Sequence, residues 1–178
     1  MVQGWYQGGI SIFDWTDPSH AKEIAFFDRG PLDGQRLVGA GSWSVYWYNG
    51  VLVSSEIQRG LDIFELTPSG FISQNEIDAA KTVHLDYFNT QDQPKITWPA
   101  SFALVRAYVD QLERSNGLTA VRGASVRSEL KRAEGLSGQP RKDALTQLAT
   151  QLHGEATASS DQGKVHMLAT AVGNLAAQ

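Results

Sequence analysis

The chain has 178 residues, 42% of them apolar and 19% charged, with no cysteine and a formal net charge of -4. That length can bury one good core or two small ones, the charge gives no general attraction to nucleic acid or anionic lipid, and the lack of cysteine excludes disulfides, thiolate metal sites and cysteine nucleophiles. No window is apolar for long enough to span a membrane, and the first residues lack the charged and apolar regions of a signal peptide.

In chain order, residues 2–6 and 10–15 flank Gln7-Gly8-Gly9 and read as a hairpin. Asp17-Pro18 favours a turn, residues 22–27 ("KEIAFF") a strand, and a long glycine-rich connection follows to Gly41. Residues 43–67 hold three short runs broken by Asn49-Gly50 and by Gln58-Arg59-Gly60, the pattern of an antiparallel meander. Trp43, Val45 and Trp47 share one strand face, and Ser44, Tyr46 and Tyr48 share the other. With bulky aromatics on both, the sheet is expected to be covered on both sides.

The segment from Gly9, "GISIFDWT", matches the segment from Gly60, "GLDIFELT", in character position by position, and Pro18 or Pro68 closes each copy. A period of about 50 residues built from strands and glycine turns belongs to propeller blades, of which a closed propeller has about four to eight. The expected fold is therefore α+β in two parts, an incomplete antiparallel β-propeller followed by a small bundle of three or four helices. Residues 22–27 and 43–66 would make one four-stranded blade, and residues 1–17 the end of another.

Ser73 with Glu76 is a capping-box signature, and it predicts a helix over residues 74–83. Polar residues with Pro94 and Pro99 mark a linker at residues 89–98, so the expected domains are 1–88 and 99–178. Beyond it, Phe102, Val105, Tyr108, Val109 and Leu112 form one apolar stripe, with Gly117 expected in the left-handed cap. Further stripes run through Val121, Ala124, Val126 and Leu130, then Leu145, Leu148, Ala149 and Leu152, then Val165, Leu168, Ala169, Val172 and Leu175. Their reliance on alanine predicts a thin, modestly stable bundle.

The strings "GGISIFDWTDPSHAKEIAFFD" and "YWYNGVLVSSEIQRGLDIFELTP" resemble the closing units of bacterial LVIVD-repeat proteins over residues 1–85. Ile10, Ile12, Asp14, Asp17 and Pro18 hold the places of that repeat, while Phe13, Trp15 and Glu65 depart from it. The resemblance implies a β-propeller-like fold and an exported, periplasmic or cell-surface location, with no catalytic signature to carry over. It makes the chain a non-catalytic propeller-type interaction or structural module that binds peptide or glycan. Its partners would be missing N-terminal blades, another protein chain or a glycan. The alternative is a fragment of a propeller hydrolase or lyase acting on polysaccharide.

Seven residues are candidate binding residues. Asp28, Arg29 and Asp33 lie in the glycine-rich connection, as a polar or cation-binding loop or as an ion pair and a turn. Glu56 and Arg59 cluster with Asp62 around the second turn of the meander, either with Glu56 and Arg59 as a register-fixing ion pair or with the two carboxylates beside the arginine as an acid–base pair. Trp43 and Tyr46 are the aromatics nearest a loop, where contact area suits ligands, although the alternation of such residues along strands suits packing. His20, His84, His153 and His166 lack the companions of a metal centre. No cofactor, metal or catalytic residue is assigned.

Overall fold

Six strands and five α-helices form in a computed structural model that describes residues 1–92 and 94–178; Gln93, inside the predicted linker, lies outside the described residues. The chain divides into two units, Met1–Ile72 with Val83–Ile96, and Ser73–Thr82 with Thr97–Gln178.

The first unit carries two antiparallel sheets. Strands β1 (Val2–Gly4), β2 (Ile10–Asp14) and β3 (Lys22–Phe27) pair in that order, as do β4 (Ser42–Tyr48), β5 (Val51–Glu56) and β6 (Gly60–Phe64). Asn49 and Gly50, with φ of 48° and 87°, make the tight turn between β4 and β5, the conformation their side chains permit at least cost. The inner faces meet through Ile10, Val45 and Leu52, which are buried, with Val2, Ile12, Trp47, Phe64 and Leu66 packed around them. β1 lies beside β4, where the Tyr6–Gly41 bridge joins the sheets. At the opposite side, between β3 and β6, an apolar opening of about 140 Å³ is lined by Ile12, Ala25, Phe27, Phe64 and Leu66.

This arrangement corrects the propeller expectation. Residues 22–27 are not the first strand of a four-stranded unit with residues 43–66: β3 pairs with β2, Ile10 opposite Phe27 and Ile12 opposite Ala25. The two similar strings are both strands but in different places, β2 at the centre of its sheet and β6 at the edge of the other. Two small, unclosed three-stranded sheets are not blades, so the likeness to LVIVD-repeat proteins fails on the fold. With it fail the propeller-type interaction module, the alternative of a propeller hydrolase or lyase, and the missing N-terminal blades as partner. The second sheet is also not covered on both faces, since Tyr46, Leu61 and Ile63 are exposed.

The second unit is a bundle of α1 (Gln74–Ala80), α2 (Phe102–Arg114), α3 (Ala120–Glu134), α4 (Gly138–Glu155) and α5 (Gln162–Ala176). It has five helices rather than three or four because α1 joins it. The capping box forms as spaced: Ser73 Oγ accepts from the Glu76 N–H, and the Ser73 N–H donates to Glu76 Oε2. Gln111 and Arg114 of α2 also donate to Glu76, and Asn75 donates to Asp110, which ties α1 to α2. Asn116, with φ of 59°, takes the left-handed position after α2 in place of Gly117. Leu112, Leu130, Leu145, Leu148, Leu152 and Leu168 are fully buried in one core, so the leucines fill more of the bundle than the alanine-rich stripes suggest. No described helix is long and apolar enough to cross a membrane.

Candidate functional site

Four of the seven candidate residues meet in one cleft of the first unit. Asp28, Arg29, Glu56 and Arg59 line it with Gly41 and Asp62. The glycine-rich connection after β3 returns to β4 at Gly41, whose φ of 86° and close packing against the carbonyls of Trp5 and Gly8 leave no room for a side chain. There the Gly41 N–H donates to Glu56 Oε1 at 2.9 Å. Glu56 Oε2 accepts from the Gln58 N–H at 2.9 Å and from the Arg59 N–H. Burial pushes the Glu56 carboxyl up, but these N–H donors and the Arg59 charge together hold it below the usual glutamate range. The expected Glu56–Arg59 ion pair is present at 3.4 Å and is secondary to the backbone bonds.

Arg29 pairs with Asp62 of β6 at 2.6 Å, not with its neighbour Asp28, whose carboxylate instead accepts from the Gly30 N–H at 2.8 Å. Asp33 lies outside the cleft and caps its own turn, accepting from the Gln35 N–H and from the Arg36 N–H and side chain. These bonds hold its carboxyl below the ordinary aspartate value. The cleft contains only about 10 Å³ of space, the room of a single water. Its geometry is that of a clamp: one carboxylate gathers the N–H groups of a turn, and one ion pair ties the connection to β6.

The two aromatic candidates separate. Trp43 sits where the β4–β5 register shifts and stacks on Tyr6 with ring centroids 5.2 Å apart. Tyr46 points to the outer face of the second sheet. At one end of that face the Tyr48 hydroxyl donates to the Leu85 carbonyl at 2.8 Å, and the Asn49 side chain both accepts from the Leu85 N–H and donates to its carbonyl. Phe88 stacks on Tyr48 there. Beyond this covered end Tyr46, Val53, Leu61 and Ile63 form an apolar surface, with Leu61 67% and Ile63 62% exposed.

Leu61 and Ile63 are the residues that sequence reasoning missed. In "LDIFEL" they alternate with Asp62 and Phe64, so both phases carry apolar side chains, and nothing in the string says which phase is inside. The pairing answers it: Asp62 and Phe64 turn inward beside Ser54 and Leu52. Among the described residues no group of three or more His, Cys, Asp or Glu is arranged to hold a metal. Comparison with family models, with curated proteins and with solved structures finds no match to this chain.

Proposed function

We propose that the chain is a self-docking module in which two copies join their second sheets edge to edge through β6. The observation that carries this reading is the unguarded edge. A sheet edge offers a row of unpaired N–H and C=O groups, and proteins commonly blunt it with lysine, proline or an inward charge. β3, the outer strand of the first sheet, opens with Lys22 and Glu23. β6 has no lysine, arginine or proline, and its one charge, Asp62, points inward but is paired with Arg29 at 2.6 Å, so it is not the unpaired inward charge that blunts an edge.

The sequence of β6 is self-complementary when two copies run antiparallel about Asp62. Leu61 of each copy then lies opposite Ile63 of the other on the outer face, where apolar cross-strand pairs contribute. Arg29 travels with each Asp62, so the central pair adds no net repulsion. Such a strand pair, even with Tyr46 and Val53 beside it, is smaller than the roughly 1,200 Å² at which stable interfaces begin, which places the association in the weak class.

Sedimentation equilibrium across a hundredfold range of concentration, up to about millimolar, tests the reading. A monomer–dimer equilibrium is expected. Ile63→Lys or Leu61→Lys should weaken it at least tenfold, whereas Phe26→Lys on exposed β3 should leave it unchanged. A monomer throughout, or equal disruption by Phe26→Lys and Ile63→Lys, would overturn it.

A further inference from the structure

The helical unit holds an arrangement that self-docking does not use. His153, in the last turns of α4, and His166, in α5, face each other with Nδ1 to Nδ1 at 3.2 Å and ring centroids 5.5 Å apart. Both are exposed to solvent. Their backbones are fixed: Leu152 and Val165, the residues immediately before them, are buried in the bundle core. Two imidazoles are thus presented side by side at the surface from two packed helices.

We infer that His153 and His166 form a two-imidazole chelate for a late divalent transition metal, with copper(II) the strongest binder. The distance supports this. A metal held about 2.0–2.1 Å from each nitrogen, at an angle between octahedral and tetrahedral, sets the two nitrogens about 2.8–3.4 Å apart. The observed separation falls within that span, so chelation needs the donor ring's proton to move from Nδ1 to Nε2 by way of solvent, and little movement of the helices. Each neutral imidazole then carries its one proton on Nε2 and offers Nδ1 to the metal. Imidazole nitrogen favours copper, nickel and zinc over magnesium and calcium, and copper(II) leads the divalent series. With no third protein ligand among the described residues, the other positions belong to water or a small ligand, and the affinity is below that of a three- or four-ligand site.

The site is read on the full chain by titration with copper(II) chloride followed by electron paramagnetic resonance and calorimetry, and by thermal unfolding with zinc sulfate. One equivalent of copper(II) is expected to bind with two imidazole nitrogens in its spectrum. Either His153→Asn or His166→Asn should weaken binding at least tenfold and reduce the spectrum to a single imidazole. Zinc at a hundred times its Kd should raise the unfolding midpoint of the helices by several degrees, since a metal bound only to the native pair stabilises it. The double variant should lose that rise while keeping its helical circular dichroism. His20→Asn, which removes the exposed histidine paired with Asp17, should change none of this. Copper binding within twofold of the parent in the double variant, or a one-imidazole spectrum in the parent, would overturn the assignment.

Discussion

The two units bury their apolar side chains in different ways. The helical unit surrounds one continuous core in which Val105, Leu112, Leu130, Leu145, Leu152 and Val172 have no exposure. The sheet unit encloses Ile10, Val45 and Leu52, keeps the opening between β3 and β6, and leaves Phe26, Trp43, Leu61 and Ile63 in solvent. A helix buries a stripe against several neighbours, but a sheet buries one face at a time; here the inner faces pack on each other, and the outer face of the second sheet is covered by Leu85 and Phe88 at its Tyr48 end. Stability is therefore concentrated in the helices and unspent apolar surface in the sheets.

Three substitutions probe this contrast. Leu152→Ala removes a fully buried side chain and should cost the helical unit about 2–5 kcal/mol. In urea it should move the transition seen by helical circular dichroism and leave the tryptophan signal, which comes mainly from Trp5, Trp15, Trp43 and Trp47, in place. A common shift of both would mean that the units unfold as one.

Gly41→Ala should act on the other unit. A side chain in the left-handed region costs about 1–2 kcal/mol, and its Cβ would lie 2.5 Å from the Trp5 and Gly8 carbonyl oxygens. The tryptophan transition should fall while the helical one holds. Unchanged tryptophan unfolding would show that the Gly41–Glu56 clamp is not what joins the connection to the sheet.

The smallest effect is electrostatic. Burial pushes the Glu76 carboxyl up, but Arg114, the Ser73 N–H and Gln111 outweigh it and hold the carboxyl below the ordinary glutamate value. Burial likewise pushes the Asp110 carboxyl up, but the Ser73 side chain, Asn75 and Arg127 outweigh it and hold the carboxyl below the ordinary aspartate value. For a carboxyl whose folded pKa is depressed, the stabilisation is complete above the unfolded value, about 4, and is lost as pH falls through the folded one. Glu76→Gln should thus lower helical stability by about 1 kcal/mol at neutral pH and flatten the loss in acid. Parallel acid curves for parent and variant would remove Glu76 from the account.

The features legible in the sequence were those made by neighbours in the chain. Asn49-Gly50 specified its turn, Ser73 and Glu76 specified a helix start, and the leucine spacing specified helices in the bundle. The two glycine-led strings show why the architecture was not legible. Gly9 is required because β3 passes so close that an added Cβ would lie 1.7 Å from the Phe27 carbonyl oxygen, whereas Gly60 has open space around it and is required by a φ of 94°. The same letter answers a steric demand in one copy and a backbone demand in the other, so similar strings read as a repeat although their strands occupy different positions. The clamp was partly legible: Glu56 and Arg59 are three residues apart, but Arg29 finds Asp62 only through the fold. Likewise the nearness of His153 to His166 depends on how α4 and α5 pack, which spacing alone does not encode.

The measurement that bears most directly on the unguarded edge is hydrogen exchange of the full chain at low and high concentration. Self-docking predicts that amides of β6 slow at high concentration while those of β3 and of the five helices keep their rates, and that Ile63→Lys abolishes the slowing. Equal β6 exchange at both concentrations, or slowing confined to β3, would contradict it.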